Sequence, residues 1–201
     1  MNKKRKVWLD KSELETLESC AYRQKDVCIV KLGAWVGLRV SEIVAAKVKD
    51  INEEIIDDES RYFLEVAGKK TNQQKGKGEK KHREALIPKK VYYDLVRLIN
   101  EKRLKDDDPL IPNKNGEHMS TAGVRDIIYR IGERAHRRTN KEKFLHVSPH
   151  DLRRFFASYY LNEKRKNPRV VMKIGGWADF QGIKPYWGEP SKKTIVREME
   201  K

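Results

Sequence analysis

Ser148-Pro149-His150-Asp151-Leu152-Arg153-Arg154-Phe155-Phe156 is the stretch that most constrains the fold of this chain. A serine followed by a proline is typical of a helix start, because the serine oxygen can accept a free backbone N–H and proline fits the first helical turn. His150 and Arg153 are three positions apart and share a helix face. We expect a helix whose apolar side enters the core and whose polar side presents both residues near a positive N-terminus.

A second arginine stands at another predicted helix start, in Gly37-Leu38-Arg39-Val40-Ser41-Glu42. Gly37 interrupts the helical pattern of residues 26–36, and a short helix resumes over 40–48. Arg39 therefore lies at a helix entrance, beside unpaired backbone amides. Arginines stabilise charge on the non-bridging oxygens of a phosphodiester, because their planar forks match phosphate geometry. The pattern predicts a phosphate site formed by Arg39 and Arg153.

Tyr186 is the candidate nucleophile, and it follows Gly175-Gly176-Trp177 by nine residues. A tyrosine hydroxyl, with a usual pKa of about 10, attacks poorly at neutral pH unless a base or cations assist it. His150 and the two arginines could supply both. Tyr159 and Tyr160 are rival nucleophiles, but at least one of them must pack inward. The leaving oxygen also needs a proton, and a lysine is suited to donate it.

The charge balance favours a polyanionic partner. The 201 residues include 45 Lys and Arg against 30 Asp and Glu, a formal net charge of +15. A positive net charge of this size favours DNA or RNA above other partners. A cluster over residues 134–143 adds two candidate DNA-binding arginines, Arg137 and Arg138.

Length and cysteine content exclude several other classes. The chain is long enough for one sizeable domain. Cys20 and Cys28 indicate neither a disulfide framework nor a zinc site, and no acidic or histidine cluster has metal-ligand spacing. No stretch approaches about 18 apolar residues, and the basic start lacks the apolar region of a signal peptide. We expect a soluble, intracellular protein.

The remaining pattern is mostly helical, with one small antiparallel sheet. Further helices are predicted over 9–21, 91–104 and 120–136, with Asp10 or Ser12 as the first cap. Strands 61–66 and 84–88 are predicted to pair. Between them we expect a long basic hairpin along DNA, whose candidate contacts are Lys69, Lys70, Lys75, Lys77, Lys80, Lys81 and Arg83. We expect core or half-buried packing for Trp8, Trp35, Tyr62, Tyr92 and Tyr129.

In order and spacing, these motifs resemble the tyrosine recombinases of the phage integrase family, from about residue 8 to 186. The resemblance implies that Tyr186 is the nucleophile, that His150 transfers protons, and that Arg39 and Arg153 clamp the phosphate. Glu42 matches the family's acidic supporting residue, which orients the cationic site. Trp177 stands where many members have a second histidine. Two short sequence segments are most similar to integrases of archaeal viruses and plasmids: Gly-Gly-Trp-Ala-Asp-Phe and Pro-Tyr-Trp-Gly.

The family implies an α+β, mostly helical catalytic domain with a small antiparallel sheet and the long basic hairpin. It also implies a site-specific recombinase that cleaves and rejoins DNA through a covalent 3′-phosphotyrosine, integrating or excising a mobile element such as a viral genome. No cofactor and no metal are expected. Lys69 is our first choice as general acid, and Lys70 and Lys77 remain open. The alternatives are relaxation of supercoils, as by a type IB topoisomerase, or a catalytically silent DNA-binding or regulatory domain.

The expected partners are double-stranded attachment-site DNA, further copies of the chain in a synaptic tetramer, and accessory DNA-bending proteins; no membrane is expected. Such a protein would act in the cytoplasm, at the nucleoid or in a host cell if virus-encoded. We expect a single catalytic domain over 1–201, with a basic arm at 1–7 and a tail helix at 191–201. The tail could dock on a neighbouring protomer or on its own domain. The family's N-terminal core-binding domain is expected to be absent.

Overall fold

The computed structural model describes residues 6–67 and 82–188. This part of the chain is mostly helical. The helices are α1 (Lys11–Ser19), α2 (Gln24–Ala34), α3 (Val40–Ala45), α4 (Lys89–Lys102), α5 (Thr121–Thr139), α6 (Pro149–Ser158), α7 (Pro168–Gly175) and α8 (Phe180–Ile183). The strands are β1 (Ile51–Ile56), β2 (Glu59–Ala67) and β3 (His82–Ile87). Short 3-10 turns cover Val48–Asp50, Glu142–His146 and Lys184–Tyr186, and a π-helical turn covers Tyr159–Glu163.

The helices predicted within the described residues are confirmed, with ends that differ by a few residues. Asp10 caps α1, because its side chain accepts from the backbone N–H of Glu13 at 2.8 Å while the Glu13 carboxylate accepts from the N–H of Asp10 at 3.1 Å. Ser148 precedes α6 and Pro149 occupies its first turn, as the sequence predicted. The helix predicted over 40–48 is shorter, since extended backbone at Ala46 ends α3.

The sheet contains a strand that the sequence pattern did not predict. β2 pairs with β3 in antiparallel register, with Leu64 opposite Ala85, so the predicted pairing is confirmed. β1 pairs with the other edge of β2. Most of β1 is solvent-exposed and rich in charged residues, so it lacks the alternation that marks a half-buried strand. Its turn to β2 uses Asp57 and Asp58 in the left-handed region instead of glycine.

The main core forms around α2, which packs against α4 and α6. Ile29, Leu32 and Ala34 on α2 have no exposed surface. A Cβ on Gly33 would lie 3.0 Å from the Cβ of Leu152, so the glycine brings α2 close to α6. This contact fixes the helix that carries His150 and Arg153 against the centre of the molecule.

Two expectations about aromatic packing are wrong. Trp8 is 46% exposed and Tyr129 is 51% exposed, whereas Tyr62 is buried and Trp35 and Tyr92 are partly buried. Cys20 and Cys28 are buried free thiols. No helix within residues 6–67 and 82–188 is long and apolar enough to cross a membrane.

Several predicted features lie outside the described residues. They are the basic arm up to residue 5, the hairpin lysines Lys69, Lys70, Lys75, Lys77, Lys80 and Lys81, and the tail at 191–201.

Candidate active site

Arg39 lies at the start of α3, where the sequence predicted it. Gly37 has a φ of 74°, and a Cβ there would lie 2.7 Å from the ring of Phe156, so this turn requires glycine. The guanidinium of Arg39 donates through Nη1 to Oε1 of Glu42 at 2.8 Å and through Nη2 to the carbonyl oxygen of Gly176 at 2.8 Å. Arg39 therefore connects α3 to the end of α7, and its side chain remains 35% exposed.

Glu42 joins Arg39 to a second arginine. Its Oε2 accepts from Nη2 of Arg83 at 2.8 Å, and the side chains of the two residues are only 9% and 14% exposed. Arg83 also donates through Nη1 to the carbonyl oxygen of Ile174. A Cβ on Gly176 would lie 2.3 Å from Nε of Arg83, so this glycine lets the arginine approach. Glu42 thus forms ion pairs with two cations.

The position of Arg83 corrects a prediction. We expected Arg83 on the DNA-facing hairpin, but it lies on β3 with a largely buried side chain that binds Glu42 and α7. Because the residues on either side of Arg83 are polar or charged, the sequence pattern did not distinguish it from an arginine on the surface. The signal available was the alternation of β3, in which Arg83 faces the same side as Ala85 and Ile87.

Arg153 is the most deeply buried cation of the site, with 3% of its surface exposed. Its Nη1 donates to the carbonyl oxygen of Gly37, whereas its buried Nη2 has no hydrogen-bond partner. Burial, and then the nearby Arg39, lower the pKa of the guanidinium to about 9, so it remains protonated at neutral pH. A buried cation with an unpaired N–H is suited to bind an anion.

Trp177 packs directly on Arg153. The guanidinium carbon lies 3.9 Å from the ring centroid, a cation–π contact. The indole also stacks on Phe156 of α6, with ring centroids 6.3 Å apart and an interplanar angle of 15°. The ring centroids of Trp177 and Tyr186 lie 5.7 Å apart. The tryptophan therefore bridges the buried arginine and the candidate nucleophile.

Tyr186 and His150 meet as predicted. The tyrosine hydroxyl lies 3.3 Å from Nε2 of His150. Partial burial, followed by the positive charges of Arg154 and Arg153, lowers the pKa of His150 below its usual value. The histidine is thus neutral at pH 7 and has a lone pair available to accept a proton.

Asn162 holds the backbone around Tyr186 and was not identified from the sequence. Its side-chain nitrogen donates to the carbonyl oxygen of Tyr186 at 2.9 Å, and its oxygen accepts from the N–H of Gly188 at 2.9 Å. Asn162 stands in the π-helical turn after α6, a deviation often found at functional sites. An asparagine so close to a helix end is common, which is why the sequence alone did not distinguish it.

The rival tyrosines pack into the protein. Tyr159 is 7% exposed and its ring stacks on Phe155 at 5.3 Å. Burial raises the pKa of Tyr160 above its usual value, which disfavours its phenolate. Among these three tyrosines, the hydroxyl that lies beside His150 is that of Tyr186.

The basic residues outside this centre differ in their surroundings. Arg137 and Arg138 lie exposed at the end of α5, and Arg138 donates to the Ser19 hydroxyl at 2.8 Å. Lys141 and Lys143 instead form ion pairs with Glu13, whose side chain is 6% exposed. Within the described ranges, no group of three or more His, Cys, Asp or Glu side chains is placed to hold a metal ion.

Comparison with known proteins identifies the family. The model of the phage integrase family matches residues 7–189, so this chain belongs to the phage integrase family of tyrosine recombinases. It is 27% identical over 179 residues to tyrosine recombinase XerH of Campylobacter jejuni, covering 88% of this chain and 45% of the relative. It is 31% identical over 166 residues to tyrosine recombinase XerA of Pyrococcus furiosus, covering 81% of this chain and 49% of the relative. The chain thus spans about half the length of these relatives.

The fold is shared with solved structures. The integrase of transposon Tn1549, solved in complex with transposon right-end DNA, superposes with a TM-score of 0.72 at 19% identity. The match covers 99% of this chain and 67% of that one. The predicted fold class, a mostly helical domain with a small antiparallel sheet, is therefore confirmed.

Proposed function

We propose that this chain is the catalytic part of a site-specific DNA recombinase that cleaves and rejoins strands through a covalent 3′-phosphotyrosine. The observation that carries the proposal is the pairing of the Tyr186 hydroxyl with His150 beside Arg153, whose buried Nη2 has no partner. Support also comes from the family, whose matching relatives are tyrosine recombinases, and from the DNA-bound Tn1549 integrase of the same fold.

The cations of the site suit a phosphodiester in transition. Arg39, Arg83 and Arg153 place three guanidiniums around the single carboxylate of Glu42, which leaves an excess of positive charge. We assign Arg39 and Arg153 to the two non-bridging oxygens, because the side chain of Arg39 is 35% exposed and Nη2 of Arg153 has no partner. The side chain of Arg83 is only 14% exposed, so it is less accessible to a phosphate. Such preorganised charge stabilises oxygen atoms whose negative charge grows during attack. Trp177, packed on Arg153, holds that guanidinium in place.

In the proposed cleavage step, the Tyr186 oxygen attacks phosphorus while its proton passes to Nε2 of His150. The new bond joins phosphorus to the tyrosine oxygen, and the bond from phosphorus to the 5′ oxygen breaks. The 5′ oxygen takes a proton from a general acid. Reversal by a 5′ hydroxyl from another strand restores the phosphodiester and completes the exchange.

We assign the general acid to Lys69, with Lys70 and Lys77 as alternatives. A substrate with sulfur at the 5′ bridging position discriminates among them, because a thiolate leaves without a proton. Alanine at the true acid should slow cleavage of ordinary DNA strongly and leave cleavage of the sulfur substrate nearly unchanged. Sulfur rescue of Lys77→Ala but not of Lys69→Ala would move the assignment to Lys77.

Double-stranded DNA is the proposed partner. A cavity of about 560 Å³ lies beside the site, lined among others by His150, His146, Arg125 and Tyr129. We propose that the duplex follows this opening and is held by phosphate contacts from Arg137, Arg138, Lys75, Lys80 and Lys81. A tetrameric synaptic complex, accessory DNA-bending proteins and action at the nucleoid or in an infected host's cytoplasm belong to the same proposal.

Covalent capture tests the proposal without knowledge of the target sequence. The chain is incubated with a library of nicked random-sequence duplexes, and adducts that survive denaturing electrophoresis are recovered and sequenced. A recombinase should give adducts enriched in one sequence. Adducts without sequence preference, together with relaxation of supercoiled plasmid, would indicate topoisomerase activity. Binding without any adduct would indicate a silent DNA-binding domain.

A further inference from the structure

An N-terminal strap, which we define as residues 6–9, is bound along α6. The N–H of Val7 donates to Oδ1 of Asp151 at 3.1 Å, and its carbonyl oxygen accepts from Nη1 of Arg154 at 3.1 Å. Asp151 and Arg154 also form an ion pair in which both side chains are at most 6% exposed. Val7 itself is 4% exposed. The strap is therefore fixed to α6, the helix whose first turn carries His150.

The residue after this anchor reaches the nucleophile. Trp8 lies under the guanidinium of Arg154, whose central carbon is 5.4 Å from the ring centroid. Its ring also meets that of Tyr186 edge to face, with centroids 6.3 Å apart and an interplanar angle of 61°. Edge-to-face contact at this distance is attractive. Because 46% of Trp8 is exposed, filling the core does not account for its position.

Tyr186 packs against a small apolar cluster formed by Phe156, Leu161, Val171 and Ile183, all of which lie outside the strap. It ends a 3-10 turn of three residues that follows the four-residue helix α8. Asn162 fixes its carbonyl group, and Trp177 packs on its ring from α7's end. Neither contact comes from the strap, so Trp8 supplies a restraint from a separate part of the chain.

We propose that Trp8 is a positioning residue for Tyr186, and that the strap holds the phenol ring with its hydroxyl toward His150. This inference rests on the proposed function, since it concerns the nucleophile of that reaction. Small displacements of a reacting group slow chemistry strongly, so the ring contact should affect the rate of cleavage more than the affinity for DNA. The Asp151–Arg154 pair would then couple the path of the strap to the position of the nucleophile.

The chain contains a matched control. Arg134 donates through Nη1 to the carbonyl oxygen of Cys20 at 2.7 Å and lies 4.9 Å from the ring centroid of Tyr22. This repeats the arrangement of Arg154, Val7 and Trp8, but Tyr22 is 76% exposed, and the described aromatic contacts of Tyr186 are with Trp8 and Trp177. Tyr22→Ala therefore removes an aromatic ring from an arginine without touching the nucleophile.

Single-turnover cleavage of a duplex recovered by covalent capture tests the inference. At saturating protein, Trp8→Ala should cleave about 10-fold more slowly than the unchanged chain, the loss expected for one aromatic pair. The dissociation constant for DNA should stay within about twofold, and Trp8→Phe should restore most of the rate. Tyr22→Ala should alter neither quantity. An unchanged rate for Trp8→Ala, or an equal loss for Tyr22→Ala, would overturn the inference.

A DNA-free measurement separates this inference from the proposed function. With meta-fluorotyrosine at position 186, the fluorine resonance should shift and narrow in Trp8→Ala, because the ring moves more freely, and stay unchanged in Tyr22→Ala. A fluorine resonance that is unchanged in Trp8→Ala would contradict the positioning role even if cleavage slowed. Absence of any adduct with the unchanged chain would refute the recombinase proposal, and the fluorine spectrum would still decide whether Trp8 holds the ring.

Discussion

The hydroxyl oxygen of Tyr186 lies 3.3 Å from Nε2 of His150, although the two residues are 36 positions apart. The distance is slightly longer than a usual hydrogen bond, and catalytic contacts of this kind often tighten only when substrate binds. The pair is formed by a helix start, Ser148-Pro149-His150, and by a short turn that ends at Tyr186. Bound phosphate would lie between this pair and Arg153.

The pH dependence of cleavage should report on His150. Because partial burial and the charges of Arg154 and Arg153 lower its pKa, the acid limb should have its midpoint below 6.5. The rate should rise as pH increases through that value, since only the neutral imidazole accepts the proton, and level off by about pH 7. Measurements at subsaturating protein report the DNA-free state.

Two histidine variants control this experiment. His150→Gln should remove the limb and lower the plateau roughly 100-fold, a usual loss for a proton-transfer group. His118→Gln should keep the limb, because Nδ1 of His118 lies 2.7 Å from the carbonyl oxygen of Val44 and the residue is not part of the pair with Tyr186. A midpoint above pH 7 in the unchanged chain would argue against His150 as the base.

Arg83 should matter more for stability than a surface arginine on the same sheet. Arg83→Met leaves the largely buried Glu42 with Arg39 alone, and we expect a loss of roughly 2–3 kcal/mol in the free energy of unfolding. Arg61→Met breaks only the exposed pair with Glu59 and should cost much less stability. Denaturant unfolding of both variants measures the difference. Equal losses would mean that Arg83 does not hold Glu42.

Asn162 should act through the backbone of the nucleophile. Asn162→Asp retains an acceptor for the N–H of Gly188 but loses the donor to the carbonyl oxygen of Tyr186. Single-turnover cleavage should slow by roughly 10-fold, because misplacing a reacting group is costly. Asn167→Asp is the control, since Asn167 accepts from the N–H of Arg169 and an aspartate caps a helix equally well. Similar rates for the two variants would refute this role.

Salt dependence should separate arginines at the surface from lysines engaged in the fold. We expected the cluster over 134–143 to contribute Arg137 and Arg138 to DNA binding, and Lys141 and Lys143 of the same cluster are paired with Glu13. Arg137→Ala should reduce the slope of log K against log salt by about 0.9, the value for one phosphate contact. Lys143→Ala should leave the slope unchanged and lower stability. The opposite result would place the Glu13 region on the DNA.

Much of the site followed from the sequence because its residues occur at recognisable helix starts. Gly37 before Arg39 and Ser148-Pro149 before His150 are local signals, and local signals fix side chains relative to one helix. Arg83, Asn162 and Trp8 carry no such signal. Their contacts join β3 to α3, the π-helical turn to Tyr186, and the strap to α6, so they depend on tertiary packing.

The fold shows the same division. The strand β2 was predicted because Tyr62, Leu64 and Val66 alternate toward the core. The strand β1 was not, since its backbone pairs with β2 while its side chains remain mostly in solvent. Alternation is informative only where one face of a strand is buried.

The most direct test of the central claim is an assay for the covalent adduct between the protein and a captured duplex. The assay compares Tyr186→Phe with the unchanged chain in buffer containing excess EDTA. The unchanged chain and Tyr159→Phe should both give an adduct that resists denaturing electrophoresis, because Tyr159 is buried in the core. Tyr186→Phe should bind the same DNA with nearly unchanged affinity and give no adduct, since only the attacking oxygen is lost. An undiminished adduct in Tyr186→Phe, or its loss in Tyr159→Phe instead, would contradict the assignment of Tyr186 as the nucleophile.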